Sequence, residues 1–501
     1  MLSVIENEKV VMMILIDNRL MKCAQMIEGN GIVCDVGTDH AYLPAYLVLN
    51  NICKQAIAAD IADGPLEAAK ATVEKYNISD KVSLIKSDGL KNISPDGITD
   101  VIIAGMGAET ICEIIDSAPW LKNNINIIIQ PMTKHPYIRQ WLYKNGFEII
   151  KEEAVPDNEF IYTIMNIRYC GNRLILNDIF SNAGKFDFSE ENAKRYALRQ
   201  VKRIDEIVNG INKSGKNPDI LENLKSTNDA IKTLACGNTN LTVGMVYQEI
   251  NRISPFSTQD SWDNSGLITG DMNNKVNRIL VALDITNAVI DEAVDSGADL
   301  IVSHHPVIFH ALKTLSFTTP AARLIANGIS AICVHTPIDM AEFGINDIIS
   351  DMLRYPLKLN NSNRPFEPLK PGSMAGNGRI CELTEPMPAY EVALILKEVF
   401  GCPVVKYTDS NTPVSKIAIC SGSGGSFLND VIISGCDAYI TGDIKHDIWV
   451  EAANRNFTLY DCGHFYTERV VTDYLVSVLK ANTCCTSISA ALSDKDVVRY
   501  I

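Results

Sequence analysis

Histidine is scarce in this chain, and the few histidines are unevenly placed. Only 8 of the 501 residues are histidine, and six of these lie beyond residue 300. The 14 cysteines include no Cys-x-x-Cys pair, which excludes a redox motif or a zinc knuckle of that spacing. Scattered cysteines without a disulfide framework are typical of a reducing compartment, so we expect a cytoplasmic protein.

Long apolar runs are absent as well. No run approaches the roughly 20 residues that a membrane helix needs. The apolar segment from Val10 to Ile16 is followed by no small-residue cleavage site, so it predicts neither a membrane span nor a secretory signal peptide. This segment is either part of a first helix or the product of an upstream start codon, with the true start near residue 13.

Basic residues are outnumbered by acidic ones, 45 against 60, which gives a formal net charge of -15. A chain of this charge binds nucleic acid only through a local basic patch. Residues 194–203 offer such a patch, because they contain five basic and no acidic side chains. The alternative interpretation of this run is a solvated helix face.

The chain is too long for one hydrophobic core, and its pattern predicts two α/β domains joined by a helical hairpin. Strand-like and helix-like segments alternate over residues 31–165, which predicts a parallel doubly wound sheet. Apolar residues at three- and four-residue steps over 186–236 predict the hairpin, and residues 355–378 are interpreted as a loop or connector. The predicted domains are residues 1–170, 171–238 and 239–501.

A candidate ligand site lies at the carboxyl ends of the first four predicted strands. Gly37 allows close approach of the backbone, and Asp60 can accept hydrogen bonds from a ribose. Residues 87–90 are placed to recognise an adenine edge, and the glycines of residues 104–107 leave room for a substrate. The motif at Gly37 alone is more typical of an ordinary strand-to-helix turn than of a nucleotide site. His40 alone is more typical of a capping or core residue.

This half of the chain resembles the TrmK family of tRNA adenine-N1 methyltransferases, which have the class I S-adenosylmethionine-dependent, Rossmann-like fold. The resemblance covers residues 17–235. The matching stretches are Cys34-Asp-Val-Gly-Thr-Asp-His-Ala-Tyr-Leu-Pro44, Ala59-Asp-Ile-Ala-Asp-Gly-Pro65, Ile103-Ala-Gly-Met-Gly107, Gln130-Pro131 and Ile138-Arg-Gln-Trp-Leu142.

The resemblance implies that the methyl donor is S-adenosylmethionine, that the substrate is tRNA and that Asp39 lies near the target base as the catalytic residue. Arg139 and the basic run would hold phosphates. The implied cofactor-binding residues are Asp35, Gly37, Thr38, Asp60, Ile61, Asp88, Gly89 and Gly105.

A second candidate site combines imidazoles and carboxylates that follow apolar, strand-like segments of the second half. Nitrogen and oxygen ligands of this kind suit Zn, Mn, Fe or similar divalent ions. A two-metal site can activate water and polarise a substrate oxygen. His335 is either a further ligand or a partner of the ligating carboxylate, and His310 is interpreted as structural. The candidate ligands are His304, His305, Asp339, His464 and Glu468.

The second half resembles the YbgI-like dinuclear metal family, often called GTP cyclohydrolase I type 2 homologs. The resemblance covers residues 241–501 and implies the same five ligands, two divalent ions and a homo-oligomer, a hexamer, formed through the metal domain. Asp443, Lys445 and His446 match a motif near the same cavity. The matching stretches are Trp262-Asp-Asn-Ser-Gly-Leu267, Ser303-His-His-Pro306, Val334-His-Thr-Pro-Ile-Asp339, Thr441-Gly-Asp-Ile-Lys-His446 and Cys462-Gly-His-Phe-Tyr-Thr-Glu468.

The sequence therefore predicts a fusion of two activities. The first is methylation of N1 of an adenine in tRNA, and the second is a dinuclear metal domain that acts as a hydrolase. Two alternatives stay open at this point. The metal domain is a non-catalytic oligomerisation scaffold, or the first half methylates a small molecule.

Overall fold

The computed structural model describes residues 14–157, 160–215, 218–237, 240–485 and 487–501. The chain forms two compact units, residues 1–238 and 239–501. The predicted N-terminal segment up to residue 13 lies outside the described residues, as do the two residues that flank the predicted boundary at 238/239. The first described helix begins only at Asn18, where the Asp17 side chain accepts a hydrogen bond from the backbone of Leu20.

The first unit is built on a seven-stranded sheet in the order β3-β2-β1-β4-β5-β7-β6. Strands β1 to β5 are parallel, whereas β7 runs antiparallel to both β5 and β6. This confirms the predicted doubly wound sheet. The strands are β1 Ile32–Val36, β2 Gln55–Asp60, β3 Val82–Lys86, β4 Ile98–Met106, β5 Asn126–Pro131, β6 Phe147–Asp157 and β7 Phe160–Tyr169.

Helices cover the sheet and extend beyond it. The predicted helical hairpin is present as α7 and α8, which contact each other, and residues 216–217 of its turn lie outside the described residues. Its buried stripe includes Ile204 and Val208 on α7 and Ile231 on α8. The helices are α1 Asn18–Gln25, α2 Tyr42–Leu49, α3 Asp63–Lys75, α4 Ala108–Asp116, α5 His135–Lys144, α6 Asp178–Ala183, α7 Glu191–Ser214 and α8 Leu221–Ala235.

The second unit contains a five-stranded sheet in the order β22-β11-β12-β13-β9 and a six-stranded sheet in the order β14-β17-β19-β20-β21-β18. In the first of these sheets, β22, β11, β12 and β13 are parallel. The longer strands are β9 Gly266–Thr269, β11 Arg278–Ala282, β12 Leu300–Ser303, β13 Ser330–Cys333, β14 Leu359–Arg364, β17 Arg379–Met387, β19 Val414–Ile419, β20 Ala438–Thr441, β21 Thr458–Asp461 and β22 Ser487–Ala490.

Short strands and ten helices complete the description of this unit. The short strands are β8 Leu241–Thr242, β10 Lys275–Val276, β15 Glu367–Pro368, β16 Gly376–Asn377 and β18 Lys406–Tyr407. The helices are α9 Val243–Ile253, α10 Asn287–Ser296, α11 Pro320–Ala326, α12 Thr336–Met340, α13 Ile345–Arg354, α14 Ala389–Phe400, α15 Leu428–Ile433, α16 His446–Asn454, α17 His464–Glu468 and α18 Val470–Asn482.

The predicted loop at residues 355–378 is partly wrong. It contains β14, which pairs antiparallel with β17 at the edge of the six-stranded sheet, and the short pair β15 and β16. A search for apolar strands misses β14, because its sequence is polar. A polar sequence is compatible with this position, since an edge strand can leave one face exposed to solvent. None of the helices in the described ranges combines the length and apolar character that crossing a bilayer requires.

Candidate functional site

A cavity of about 380 Å³ lies in the first unit at the carboxyl ends of its parallel strands. This is where an open α/β sheet binds ligands. Five of the predicted cofactor-binding residues line it, namely Gly37, Asp60, Ile61, Asp88 and Gly89. Residues that the sequence did not single out complete the wall, and they include Lys91, Thr110, Glu113 and Ile114.

The backbone conformation at the cavity rim favours glycine at position 37. Its φ is +79°, and a Cβ there would collide with the Met106 side chain. The backbone N–H groups of Gly37 and Thr38 donate to the Ala59 carbonyl at 2.8 and 3.0 Å. These bonds fix the turn between β1 and α2 against β2, so the backbone at Gly37 faces the cavity without an obstructing side chain.

Three other predicted cofactor-binding residues lie outside the set of residues that line this cavity. Asp35 and Thr38 are buried, and burial raises the pKa of Asp35 to about 6 although the Thr38 side chain opposes the shift. The Gly105 N–H donates to Gln130 Oε1 at 3.1 Å, and Arg19 donates to the same oxygen at 2.8 Å. Asp35 and Thr38 therefore support the cavity from behind its surface, whereas Gly105 is exposed.

Asp39, the predicted catalytic residue, is exposed on the loop that precedes α2. Its carboxylate lies 3.4 Å from Nε2 of His40, and the His40 ring stacks on Tyr42 with 5.1 Å between ring centroids. Ala41, which lies between these two residues in the sequence, has a φ of +53°, which is unusual for a residue with a side chain. The loop thus presents a carboxylate and two rings to solvent.

Arg139 was predicted to hold phosphate, and the structure shows that this is wrong. The side chain is fully buried and pairs with Glu152, whose Oε1 accepts from Nη2 at 2.7 Å and from Nε at 3.0 Å. Its other donors reach the Ser181 carbonyl at 2.7 Å and the Tyr196 hydroxyl at 2.9 Å. With its donors occupied inside the protein, Arg139 joins α5 to β6, α6 and α7.

The basic run on α7 has one buried and one exposed side. Tyr196 points inward, where its hydroxyl lies 2.8 Å from Nδ1 of His135. Arg195, Arg199 and Lys202 are exposed, and their spacing places them on one face of the helix. Arg199 lies over the ring of Phe160, with 5.9 Å from its guanidinium carbon to the ring centroid. The exposed side is therefore a cationic stripe.

In the second unit, two sheets bring the predicted ligands together. His304 and His305 follow β12, Asp339 lies on α12 after β13, and His464 and Glu468 lie on α17 after β21. Their nitrogen and oxygen atoms form two triads with ligand atoms within 4.8 Å of one another. One triad is His305, His464 and Glu468, and the other is His304, Asp339 and Glu468. We call these five residues the ligand cluster.

Glu468 belongs to both triads and lies between the two sets of imidazoles. Its Oε2 is 2.8 Å from Nε2 of His464 and 3.0 Å from Nε2 of His305. Its Oε1 is 3.7 Å from Nε2 of His304. A carboxylate in this position is suited to bridge two cations. The Asp339 carboxylate, 3.9 Å from Nε2 of His304, completes the second triad.

Each histidine of the ligand cluster is oriented by an acceptor on its outer nitrogen. Nδ1 of His305 lies 2.9 Å from Asp284, Nδ1 of His464 lies 2.9 Å from Asp443, and Nδ1 of His304 lies 3.0 Å from the Val334 carbonyl. This arrangement turns each Nε2 inward, as metal-ligating histidines require. Asp443 thus lies beside the cluster, whereas Lys445 and His446 are exposed at the start of α16.

Three further observations show that the cluster fits a cation. Nε2 of His304 is buried and has no hydrogen-bond partner among the described residues. Burial would lower the pKa of His305, but its hydrogen bonds to Asp284 and Glu468 raise that pKa to about 10. The three imidazoles hold the pKa of Glu468 well below its usual range although burial opposes the shift. The site therefore favours positive charge.

His335 lies beside the cluster, and its ring is held by a buried carboxylate. Nδ1 of His335 lies 2.8 Å from Asp263, and a ring nitrogen of His335 falls within 4.8 Å of ligand atoms of His304 and His305. Burial would raise the pKa of Asp263, yet the hydrogen bonds from His335 and Thr336 lower it. His310 is exposed, packs on Phe309 and belongs to neither triad.

Comparisons with known proteins divide the chain at the same place as the fold. The model of the Duf34/NIF3 (NGG1p interacting factor 3) family matches residues 241–495, more than half of the chain. A methyltransferase-domain model matches residues 16–165. The chain is 34% identical over 224 residues to a GTP cyclohydrolase 1 type 2 homolog of Clostridium perfringens, which covers 44% of this chain and 84% of that protein.

The chain is also 35% identical over 151 residues to a tRNA (adenine(22)-N(1))-methyltransferase of Bacillus subtilis, which covers 30% of this chain and 63% of that enzyme. Among solved structures, a hypothetical protein of Staphylococcus aureus is 26% identical with a TM-score of 0.48, covering 52% of this chain and 100% of that one. The two family models and the two sequence relatives bear out the resemblances seen in the sequence. The chain belongs to the Duf34/NIF3 family and carries an N-terminal methyltransferase domain fused to the domain of that family.

Proposed function

We propose that the first unit transfers a methyl group from S-adenosylmethionine to N1 of an adenine in tRNA. The cavity at the ends of β1 to β4 supports this proposal, because its lining combines Gly37 with the carboxylates Asp60 and Asp88. An acid at the end of the second strand is suited to accept hydrogen bonds from ribose hydroxyls. Ile61, exposed at the rim, offers an apolar surface for the adenine of the donor.

The chemistry requires alignment more than proton transfer. Adenine N1 has a lone pair that is largely free at neutral pH, so the reaction depends on placing N1 in line with the methyl group. The product ring is cationic, and the carboxylate of Asp39 would stabilise the charge that develops on it. Exposed Arg195, Arg199 and Lys202 would contact the phosphates of the RNA.

Methyl transfer to unmodified bulk tRNA, followed by nucleoside analysis, tests this proposal. We expect N1-methyladenosine to appear only when the donor is present. A folded protein that binds the donor but methylates no tRNA would contradict the proposal and favour a small-molecule substrate.

For the second unit we propose a centre of two divalent cations held by His304, His305, Asp339, His464 and Glu468, and we propose that it acts in hydrolysis. Nitrogen and oxygen ligands with one shared carboxylate suit Zn, Mn or Fe. Two bound cations would supply a polarised substrate oxygen and an activated water. The chain supplies the orientation, since Asp284, Asp443 and the Val334 carbonyl fix the three rings.

Metal content per chain tests this centre. We expect His304→Ala to lower it, whereas His310→Ala, which removes an exposed histidine of the same unit, leaves it unchanged. Turnover that requires the metal would distinguish a hydrolase from a non-catalytic scaffold. Assembly into a homo-oligomer and a cytoplasmic location stay predictions, and sedimentation of the full chain tests the predicted hexamer.

A further inference from the structure

Two exposed aromatic rings lie beside the ligand cluster. Trp262 is 53% exposed and Phe309 is 41% exposed, so both leave large apolar faces to solvent. Their ring centroids are 5.8 Å apart with an interplanar angle of 32°. Both rings contact the His335 ring, with 5.7 Å between ring centroids for Trp262 and 6.2 Å for Phe309. We call this pair the aromatic wall.

The aromatic wall adjoins the ligand cluster, and contacts of neighbouring residues hold it in place. His335 connects the two, since its ring centroid lies 5.5 Å from that of His305. Asn264, two residues after Trp262, donates to the Ile308 carbonyl at 2.6 Å, which ties the segment of Trp262 to the segment of Phe309. The Asp263 side chain is fully buried against His335. Neither ring is therefore a side chain on a free loop.

We propose that the substrate of this unit stacks a purine-sized heteroaromatic ring on the aromatic wall while its reacting group meets the ligand cluster. This inference rests on the proposed metal centre. The indole of Trp262 is as large as a purine, and it stays accessible to a ligand ring because the residue is 53% exposed although Phe309 packs against it. The two rings are too close together to enclose a third ring, so they form one surface rather than a clamp.

The test compares two probes that differ only in the base. Adenosine monophosphate and ribose 5-phosphate share the sugar and the phosphate, so any direct contact between phosphate and metal is common to both. Calorimetric titrations use the metal-loaded full chain with excess S-adenosylhomocysteine, which occupies the cavity of the first unit. We expect adenosine monophosphate to bind at least about tenfold more tightly than ribose 5-phosphate, because stacking of a base on an aromatic ring has this magnitude.

Variants assign the difference to the wall. Trp262→Ala should reduce the affinity for adenosine monophosphate by about tenfold, and Trp262→Phe should restore most of it. Phe309→Ala should weaken binding, whereas Phe317→Ala, a 92% exposed ring of the same loop, should not.

Metal content is measured in the same samples, so that the two proposals fail separately. A chain that holds its metal but binds both probes equally, or whose Trp262→Ala variant binds like the parent, overturns the role of the wall and leaves the metal centre standing. A chain that holds no metal but still prefers adenosine monophosphate overturns the metal centre alone.

Discussion

Gly422 lies so close to Glu468 that no Cβ fits between its backbone and the carboxylate. The same Cβ would lie 3.3 Å from Nε2 of His464. The position is fixed, because the Gly422 N–H donates to the Thr467 hydroxyl at 3.1 Å and its carbonyl accepts from Thr441 at 3.0 Å. The loop after β19 thus forms one wall of the ligand cluster, and no motif in the sequence points to it.

Gly422→Ala should lower the metal content per chain, while its free energy of unfolding should fall no more than that of the control variant Gly401→Ala. The added methyl group displaces the Glu468 carboxylate, which belongs to both triads. Gly401→Ala is a matched control, since Gly401 has a φ of +64° against +60° for Gly422 but open space around it. Both variants should lose about 1 kcal/mol from backbone strain. Equal metal content in the two variants, measured by emission spectrometry, would contradict the assignment.

Asp39→Ala should lower the rate of tRNA methylation by at least about tenfold, because it removes the carboxylate that stabilises the cationic product ring. The affinity for S-adenosylmethionine should stay within about twofold of the parent, since Asp39 lies outside the lining of the cavity. Single-turnover rates and donor titrations measure the two quantities. Asp116→Ala, an exposed carboxylate at the end of α4, is the control. Donor affinity that falls as far as the rate would refute this role.

The cationic stripe of α7 should contribute to RNA binding through charge alone. Arg195 and Lys202 are exposed and form no ion pair in the part of the chain that the structure describes. Replacing both with Gln should weaken tRNA binding roughly fivefold per charge at 0.15 M salt and reduce the salt slope by about 0.7–0.9 per charge. Filter binding over a salt series measures this. An unchanged slope, or an equal effect of the control Lys81→Gln, would indicate a solvated helix face.

Much of the first site could be predicted from sequence, because the relevant residues follow directly after apolar strands. The ends of parallel strands meet at one edge of a sheet, so Gly37, Asp60, Asp88 and Gly89 share a cavity although more than 50 residues separate the first from the last. The histidines of the ligand cluster were predictable for the same reason. A site residue of this kind can be predicted once the strand that precedes it is recognised in the sequence.

Other features depend on contacts that no local pattern contains. The hairpin of β6 and β7 escaped prediction because a register shift between Ile149 and Lys151 interrupts the alternation of buried and exposed residues. Gly422 faces Glu468 only because β19 and β21 belong to the same sheet. Arg139 looked like a phosphate ligand because the sequence does not show Glu152 on the neighbouring strand.

Arg139→Met should destabilise the first unit by about 3–5 kcal/mol, because it leaves the Glu152 carboxylate buried without its counter-ion. Replacing Glu152 with Gln in the same chain should recover a large part of this loss. Urea unfolding of the three proteins measures it. At a temperature where the variant is folded, tRNA affinity should match that of the parent. A variant of full stability with weakened RNA binding would restore Arg139 as a phosphate ligand.

His135 should make the stability of the first unit fall as the pH is lowered from about 6.5 to about 4. Burial, together with the charge of Arg139, lowers the pKa of His135 to about 4. Between this value and the ordinary pKa of 6.5, the unfolded chain binds a proton that the folded chain does not, so acidification favours unfolding. Below pH 4 both states are protonated and the loss is complete. Its upper bound is about 3 kcal/mol.

The difference in unfolding free energy between the parent and His135→Gln isolates this effect from the other groups that titrate in the same range. Asp35 has the opposite sign, since burial raises its pKa to about 6 and the folded chain then binds the extra proton. It is common to both proteins and cancels in the difference. His135→Gln should remove the dependence, whereas His40→Gln, which replaces a half-exposed ring, should retain it. Parallel pH profiles for the parent and His135→Gln would show that the His135 ring is protonated inside the folded unit, against its hydrogen bond from Tyr196.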